Sequence, residues 1–162
     1  GEFPEKTIIF QQVYEELASP LRFSFEDEEK IAEKVRSLCG NLGISSLLFK
    51  KTNELSGGEK AIVSLATAMI HEPEILILDE FDSHLDRDTV SKCHKILKHC
   101  GAACILHCTQ NTDICTAARK VLFFSGGRII HAGRPEDVFG RLKNTCFYPP
   151  KWKFGYESIC EL

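Results

Sequence analysis

The sequence predicts an α/β fold built on a buried parallel sheet, and three observations carry that prediction. Ile75-Leu76-Ile77-Leu78 is a short apolar run without a polar break, as in a strand covered on both faces, and it ends on the carboxylates Asp79 and Glu80. Ala102 to Leu106 is a second buried strand. Between and before these runs the apolar spacing is helical.

Taken in order, Lys6-Thr7-Ile8-Ile9-Phe10 reads as a short strand ending at Gln11 and Gln12. Val13 to Leu17 begins a short helix that Ser19-Pro20 is expected to break. Ser24, with Asp27 at the third position, caps the next helix, whose inner face is Ile31, Val35 and Leu38 and whose solvated side carries Glu28, Glu29, Glu33 and Lys34. Gly40 and Gly43 end it, and Leu42, Ile44, Leu47, Leu48 and Phe49 supply a compact apolar patch. Ser56 and Glu59 form a capping box for a helix running to His71, with Ile62, Val63, Leu65, Ala66, Met69 and Ile70 on its apolar face and Pro73 as its stop. Residues 87 to 99 form a helix with Val90, Cys93, Ile96 and Leu97 inward and a basic outer flank of Lys92, Lys95, Lys98 and His99. Asp113 to Ala118 is a short helix. Val121 to Phe124 and Arg128 to Ile130 pair through Ser125-Gly126-Gly127. Pro135 opens the last helix, with Glu136 and Asp137 at its positive end. The tail from Tyr148 to Leu162 sets Trp152, Phe154 and Tyr156 among lysines and is expected to pack back on the domain or on a partner.

The 162 residues are enough for one core, so one domain is expected. A net charge of −3 gives no broad attraction to nucleic acid or anionic lipid. No apolar run approaches the roughly 20 residues that span a bilayer, and no secretory leader is apparent. Gly1-Glu2-Phe3 looks like a cloning scar. The eight cysteines fall on helices and strands, which suits reduced thiols in the cytoplasm. Cys100, Cys104, His107 and Cys108 hold no Cys-x-x-Cys pair, and a strand sends His107 to the opposite face from Cys104 and Cys108.

The chemistry centres on residues 55 to 86. Adjacent carboxylates at the end of a strand lie where open α/β sheets place ligands. One can hold Mg²⁺ through water while the other orients a water against phosphorus. Gly57 and Gly58 present backbone N–H groups at a helix start, which favours an anion.

These residues resemble the second half of an ATP-binding cassette (ABC) nucleotide-binding domain of the transporter type, over about residues 7 to 140. Leu55-Ser56-Gly57-Gly58-Glu59 is similar to the family signature motif, Ile75 to Glu80 to the Walker B strand, and Ser83 to Asp86 to the D-loop. The resemblance implies that Asp79 serves Mg²⁺, that Glu80 is the catalytic glutamate, and that Leu55 to Glu59 and Asp86 contribute to the ATP site. It also implies that Gln11 (or Gln12, which fits as well) is the Q-loop glutamine reaching Mg²⁺ and the attacking water. Phe81-Asp82 departs from the proline that usually follows the glutamate. Gln110 stands where the family has its switch histidine; glutamine can hydrogen-bond to a γ-phosphate but cannot accept its proton. His131 to Phe139 resembles the ending common in transporter cassettes.

The resemblance further implies a P-loop NTPase-like parallel sheet with a helical signature subdomain at about residues 21–72, within a partial cassette at 4–147 followed by a tail at 148–162. No Gly-x-x-x-x-Gly-Lys-Ser/Thr occurs, so the Walker A phosphate cradle is absent and the sheet is expected to lack its central phosphate-loop strand, which the family places between 102–106 and 121–124. ATP and Mg²⁺ are then expected only in a completed or dimeric site, and hydrolysis only where a Walker A segment completes it. The implied partners are a second nucleotide-binding domain or a missing N-terminal half, and membrane-spanning transporter subunits that would hold the chain at the cytoplasmic face; direct nucleic-acid binding is not expected. Two alternatives stand beside this. A genome-maintenance ATPase half shares Ser-Gly-Gly-Glu-Lys, here Ser56 to Lys60, but needs a long coiled coil before Leu55, and residues 24 to 50 are too short and glycine-broken for one. A degenerate cassette acting as a non-catalytic interaction module would account for Phe81 and Gln110.

Overall fold

The computed structural model describes residues 8–83 and 85–154, and these form two compact units that divide between Cys108 and Thr109. The first unit opens with helix α1, Val13–Phe23, whose Val13, Leu17, Ala18 and Leu21 are fully buried. The expected break at Pro20 does not occur. Pro20 cannot donate to the Glu16 carbonyl four residues back, but the Ser19 hydroxyl takes that carbonyl at 3.1 Å, and the helix needs only three more residues. Ser24 caps the C-terminus of α1 rather than starting the next helix, its amide turned back to the Leu21 carbonyl at 3.1 Å. Helix α2, Glu28–Leu42, starts after Asp27 and closes on Gly43, whose φ of 67° is left-handed; Gly40 lies inside it. Arg22 ties the two helices together through Glu15 and Glu28.

No strand forms over Ile8–Phe10, and Lys6 and Thr7 lie outside the described residues. The Ile9 and Phe10 amides donate instead to Glu16 Oε2, at 2.9 and 2.8 Å, a carboxylate that is itself buried. Ile44, Leu47 and Leu48 join the α1–α2 core as expected, whereas Phe49 is 82% exposed.

Helix α3, Gly57–Met69, strand β1, Ile75–Asp79, helix α4, Arg87–Lys98, and strand β2, Cys104–Cys108, complete this unit. The strands pair in parallel, Ile75 opposite Cys104 and Asp79 opposite Cys108. Leu76 and Leu78 pack with Leu65 and Met69 of α3 and Cys93 and Leu97 of α4. The other face of β1 is not covered: Ile75 is 60% and Ile77 66% exposed. The uniform apolar run therefore reports a strand suited to cover on both faces, of which the described residues supply one.

In the second unit a short helix α5, Thr112–Cys115, precedes an antiparallel hairpin of β3, Val121–Ser125, and β4, Arg128–Gly133. Gly126 and Gly127 turn it with φ of 56° and 72°, the pair of positive values that a two-residue type I′ turn demands. Helix α6, Pro135–Arg141, buries Val138 and Phe139 against Val121. Helix α7, Pro150–Phe154, sets the Trp152 ring edge-on to Phe139 at 5.7 Å, so the described part of the tail packs within its own unit; Tyr156 lies outside the described residues.

Candidate functional site

The start of α3 is built by a complete capping box. Glu59 N donates to Ser56 Oγ at 3.2 Å, and Ser56 N donates to Glu59 Oε2 at 2.8 Å. Leu55, 5% exposed, anchors the preceding turn in the core. Lys50 Nζ reaches Glu59 Oε1 at 3.1 Å. The Ser56 amide, and after it Lys50, hold the Glu59 carboxyl below the usual carboxylate range. Gly57 is exposed, and the first-turn amides have no carbonyl of their own helix to donate to. Because the folded pKa of Glu59 lies below its unfolded value, its support of the cap is complete above that value and is lost as pH falls through the folded one. The Ser56 amide is therefore expected to lose exchange protection as pH falls below the ordinary glutamate range, and Glu59→Gln to remove that pH dependence, as read by NMR across an acid titration.

At the C-terminal end of β1, Asp79 is exposed and Glu80 half-buried. Glu80 has a φ of 44°, a left-handed value that costs a non-glycine residue about 1–2 kcal/mol. The turn is held from several sides: Glu80 N donates to the Cys108 carbonyl at 2.8 Å, and Ser83 donates to the Glu80 carbonyl through N at 3.1 Å and Oγ at 2.8 Å. Two carboxylates at a strand end suit Mg²⁺, a cation satisfied by one or two carboxylates with waters and substrate phosphates. Among the described residues no three His, Cys, Asp or Glu side chains gather as a metal cage.

Asp86 caps α4. Its Oδ1 accepts the Thr89 amide and its Oδ2 the Thr89 hydroxyl, both at 2.9 Å, and the amide bond is the main cause of its lowered pKa. Thr89 in turn lies against α3: a Cβ added at Gly58 would come within 2.6 Å of Thr89 Oγ1. Gly58 and Asp86, far apart in sequence, thus meet through one threonine that sequence reasoning missed, although Asp-x-x-Thr at a helix start is a legible cap. His84 is outside the described residues.

Gln11 is exposed, and its carbonyl accepts the Thr52 amide at 2.9 Å; the Phe10 carbonyl accepts the Thr52 hydroxyl at 2.8 Å, and Gln12 bridges to Lys51. The glutamine segment is stitched to the segment bearing Lys50, and through Lys50 to Glu59. Gln110 belongs to the second unit, exposed, between Thr109, whose Oγ1 accepts the Asn111 amide, and Asn111, whose Oδ1 accepts the Asp113 amide and caps α5. A further pair went unpredicted. His107 Nε2 lies 2.9 Å from Asp82 Oδ1, with side chains 15% and 5% exposed, and the His94 ring of α4 meets His107 edge-on at 6.3 Å. Desolvation, and then His107, push the His94 pKa down. No local sequence signal marks this cluster, because the parallel register of β1 and β2 creates it.

The family model described as ABC transporter matches residues 2–83, just over half of the chain. The chain is 32% identical over 139 residues to the energy-coupling factor transporter ATP-binding protein EcfA1 of Mycoplasma pneumoniae, covering 84% of this chain and 50% of that protein. It is 31% identical over 163 residues to the molybdate/tungstate import ATP-binding protein WtpC of Pyrococcus horikoshii, covering 98% of this chain and 45% of that one. Its fold is similar to that of cbiO1 from Clostridium perfringens, part of the ABC transporter complex cbiONQ, with a TM-score of 0.77 at 30% identity over 88% of this chain and 58% of cbiO1. The chain spans about half the length of these proteins.

Proposed function

The chain belongs to the ABC transporter family, whose ATPases bind ATP with Mg²⁺, and from that premise we propose that it supplies the signature motif, Walker B carboxylates and D-loop of an ATP site that drives transport. The observation that carries this reading is the set of contacts that joins Gly58 of the signature helix, through Thr89, to Asp86 of the D-loop, which follows Glu80 by six residues in sequence. The phosphate cradle must come from another segment or chain, since the 162 residues hold no Walker A sequence. The uncovered face of β1 favours such a complement, because a parallel sheet is stable with both faces covered.

In a completed site Asp79 would hold Mg²⁺, which neutralises phosphate charge when bound. Glu80 orients and deprotonates the attacking water. The amides of Gly57 and Gly58 face the γ-phosphate of the opposing nucleotide. Gln11 reaches the same water, and Gln110 donates a hydrogen bond to phosphate without taking a proton. The partners are a phosphate-loop half or second nucleotide-binding domain and membrane-spanning subunits, with the chain at the cytoplasmic face. Phe81 and Gln110 also fit a second reading, a degenerate cassette that binds partners without turnover.

The 162-residue chain alone is expected to show no Mg-ATP binding at micromolar concentration in a calorimetric titration. Micromolar affinity without any added phosphate-loop segment would overturn the incomplete-site reading.

A further inference from the structure

We propose that His107 and Asp82 are positioning residues, forming a buried clasp that fixes the turn bearing Glu80 onto strand β2; this rests on the reading of Glu80 as the catalytic carboxylate. Three features lead to it. First, a carboxylate and an imidazole buried to 5% and 15% exposure are costly to desolvate, and the best-supported return on such a pair is a defined conformation. Second, Glu80 has a left-handed φ of 44°, and a strained residue persists only where its surroundings over-determine it. Third, the clasp lies where it can exert that control. Asp82 is two residues after Glu80, and His107 is next to Cys108, whose carbonyl takes the Glu80 amide at 2.8 Å. The turn is thus fastened to consecutive residues of β2, once by backbone and once by side chain.

The register explains why His107 can do this. Opposite Leu78 in the ladder, it shares the inner face with Leu76 and Leu78, under α4, while Asp79 and Cys108 lie on the other face. An apolar side chain at 107 would satisfy burial and leave the Asp82 carboxylate without the imidazole. His94 of α4 faces the clasp, with Lys98 acting on His94 from one turn further along α4. The imidazole nitrogen that faces Asp82 is Nε2, and a neutral ring protonated there donates to the carboxylate as a charged ring does. The clasp therefore needs a donor at the end of the side chain more than it needs a charge.

The test is amide hydrogen exchange of the full chain, resolved by residue, on three variants. His107→Phe keeps bulk and removes the donor. His107→Gln keeps a donor near the Nε2 position. Asp82→Leu keeps approximate bulk and removes the acceptor. Expected are exchange at Glu80 and Ser83 at least about tenfold faster in His107→Phe and Asp82→Leu, near-native rates in His107→Gln, and unchanged rates across the β1–β2 ladder and α4. Equal exchange at Glu80 and Ser83 in all three variants would overturn the clasp, as would His107→Gln behaving like His107→Phe. Should the phenylalanine variant not fold, the contrast between His107→Gln and Asp82→Leu decides by itself. Exchange needs no nucleotide, so the clasp is judged separately from the ATPase reading. If exchange responds as expected while Glu80→Gln leaves the turnover of a completed cassette unchanged, the clasp stands and the catalytic reading of Glu80 falls.

Discussion

Glu80→Gln is expected to reduce ATP turnover by about 10²–10⁴-fold in a cassette completed by a phosphate-loop half, with nucleotide binding retained. The carboxylate sits at the C-terminal end of β1, half-buried, with its backbone fixed by the Cys108 carbonyl and by Ser83. Glutamine keeps the length and one accepting oxygen of glutamate but cannot take the proton of the attacking water. Loss of turnover with binding intact is the pattern of an interaction made only in the transition state. ATP should therefore accumulate unhydrolysed in a stable assembly, detectable as an ATP-dependent shift in sedimentation. The measurement is steady-state phosphate release by wild type and variant on equal amounts of assembled protein. Unchanged release would assign the chemistry to a glutamate of the partner, or make this chain the degenerate cassette.

Much of this arrangement is legible in sequence because it is local. The capping box from Ser56 to Glu59, the strand ending at Asp79, and the two-glycine turn at Gly126 and Gly127 each follow from a few neighbouring residues, and each appears as expected. The misses share another character. Pro20 stays in a helix because a neighbouring hydroxyl takes the orphaned carbonyl, and Ser24 is recruited to end one helix rather than start the next. Ile8 to Phe10 has strand composition, but its amides go to the buried Glu16 carboxylate. In these cases a tertiary or competing local partner outweighs propensity. The site divides the same way. Asp79, Glu80 and the residues from Leu55 to Glu59 are proposed from pattern alone, whereas Thr89, Asp82 and His107 matter only through side chains that the fold brings to them. His107 is the clearest example, since strand alternation alone removes it from the cysteine cluster without saying what it meets.

Gly58→Ala is expected to cost about 1–3 kcal/mol and to disturb both the start of α3 and the Asp86 cap of α4. Alanine ordinarily stabilises a helix relative to glycine by up to about 1 kcal/mol, and Gly58 lies in the first turn of α3, so propensity alone predicts a gain. The packing predicts the reverse. The new Cβ would stand 2.6 Å from Thr89 Oγ1 and 3.3 Å from Thr89 Cγ2. Rotating Thr89 away would relieve the contact only by breaking its 2.9 Å hydrogen bond to Asp86, and moving the helices apart would open the Leu65–Cys93–Leu97 core. Thr89→Ala removes both clashing atoms and also that bond. The double-mutant cycle is therefore informative: Gly58→Ala should be harmful in the wild-type background and neutral or stabilising beside Thr89→Ala, a coupling of about 0.5–3 kcal/mol. Urea unfolding followed by circular dichroism measures it; fluorescence does not, because the single tryptophan, Trp152, belongs to the second unit. Additive costs in the two backgrounds would mean that Gly58 and Thr89 do not constrain one another, and that the start of α3 and the Asp86 cap move independently.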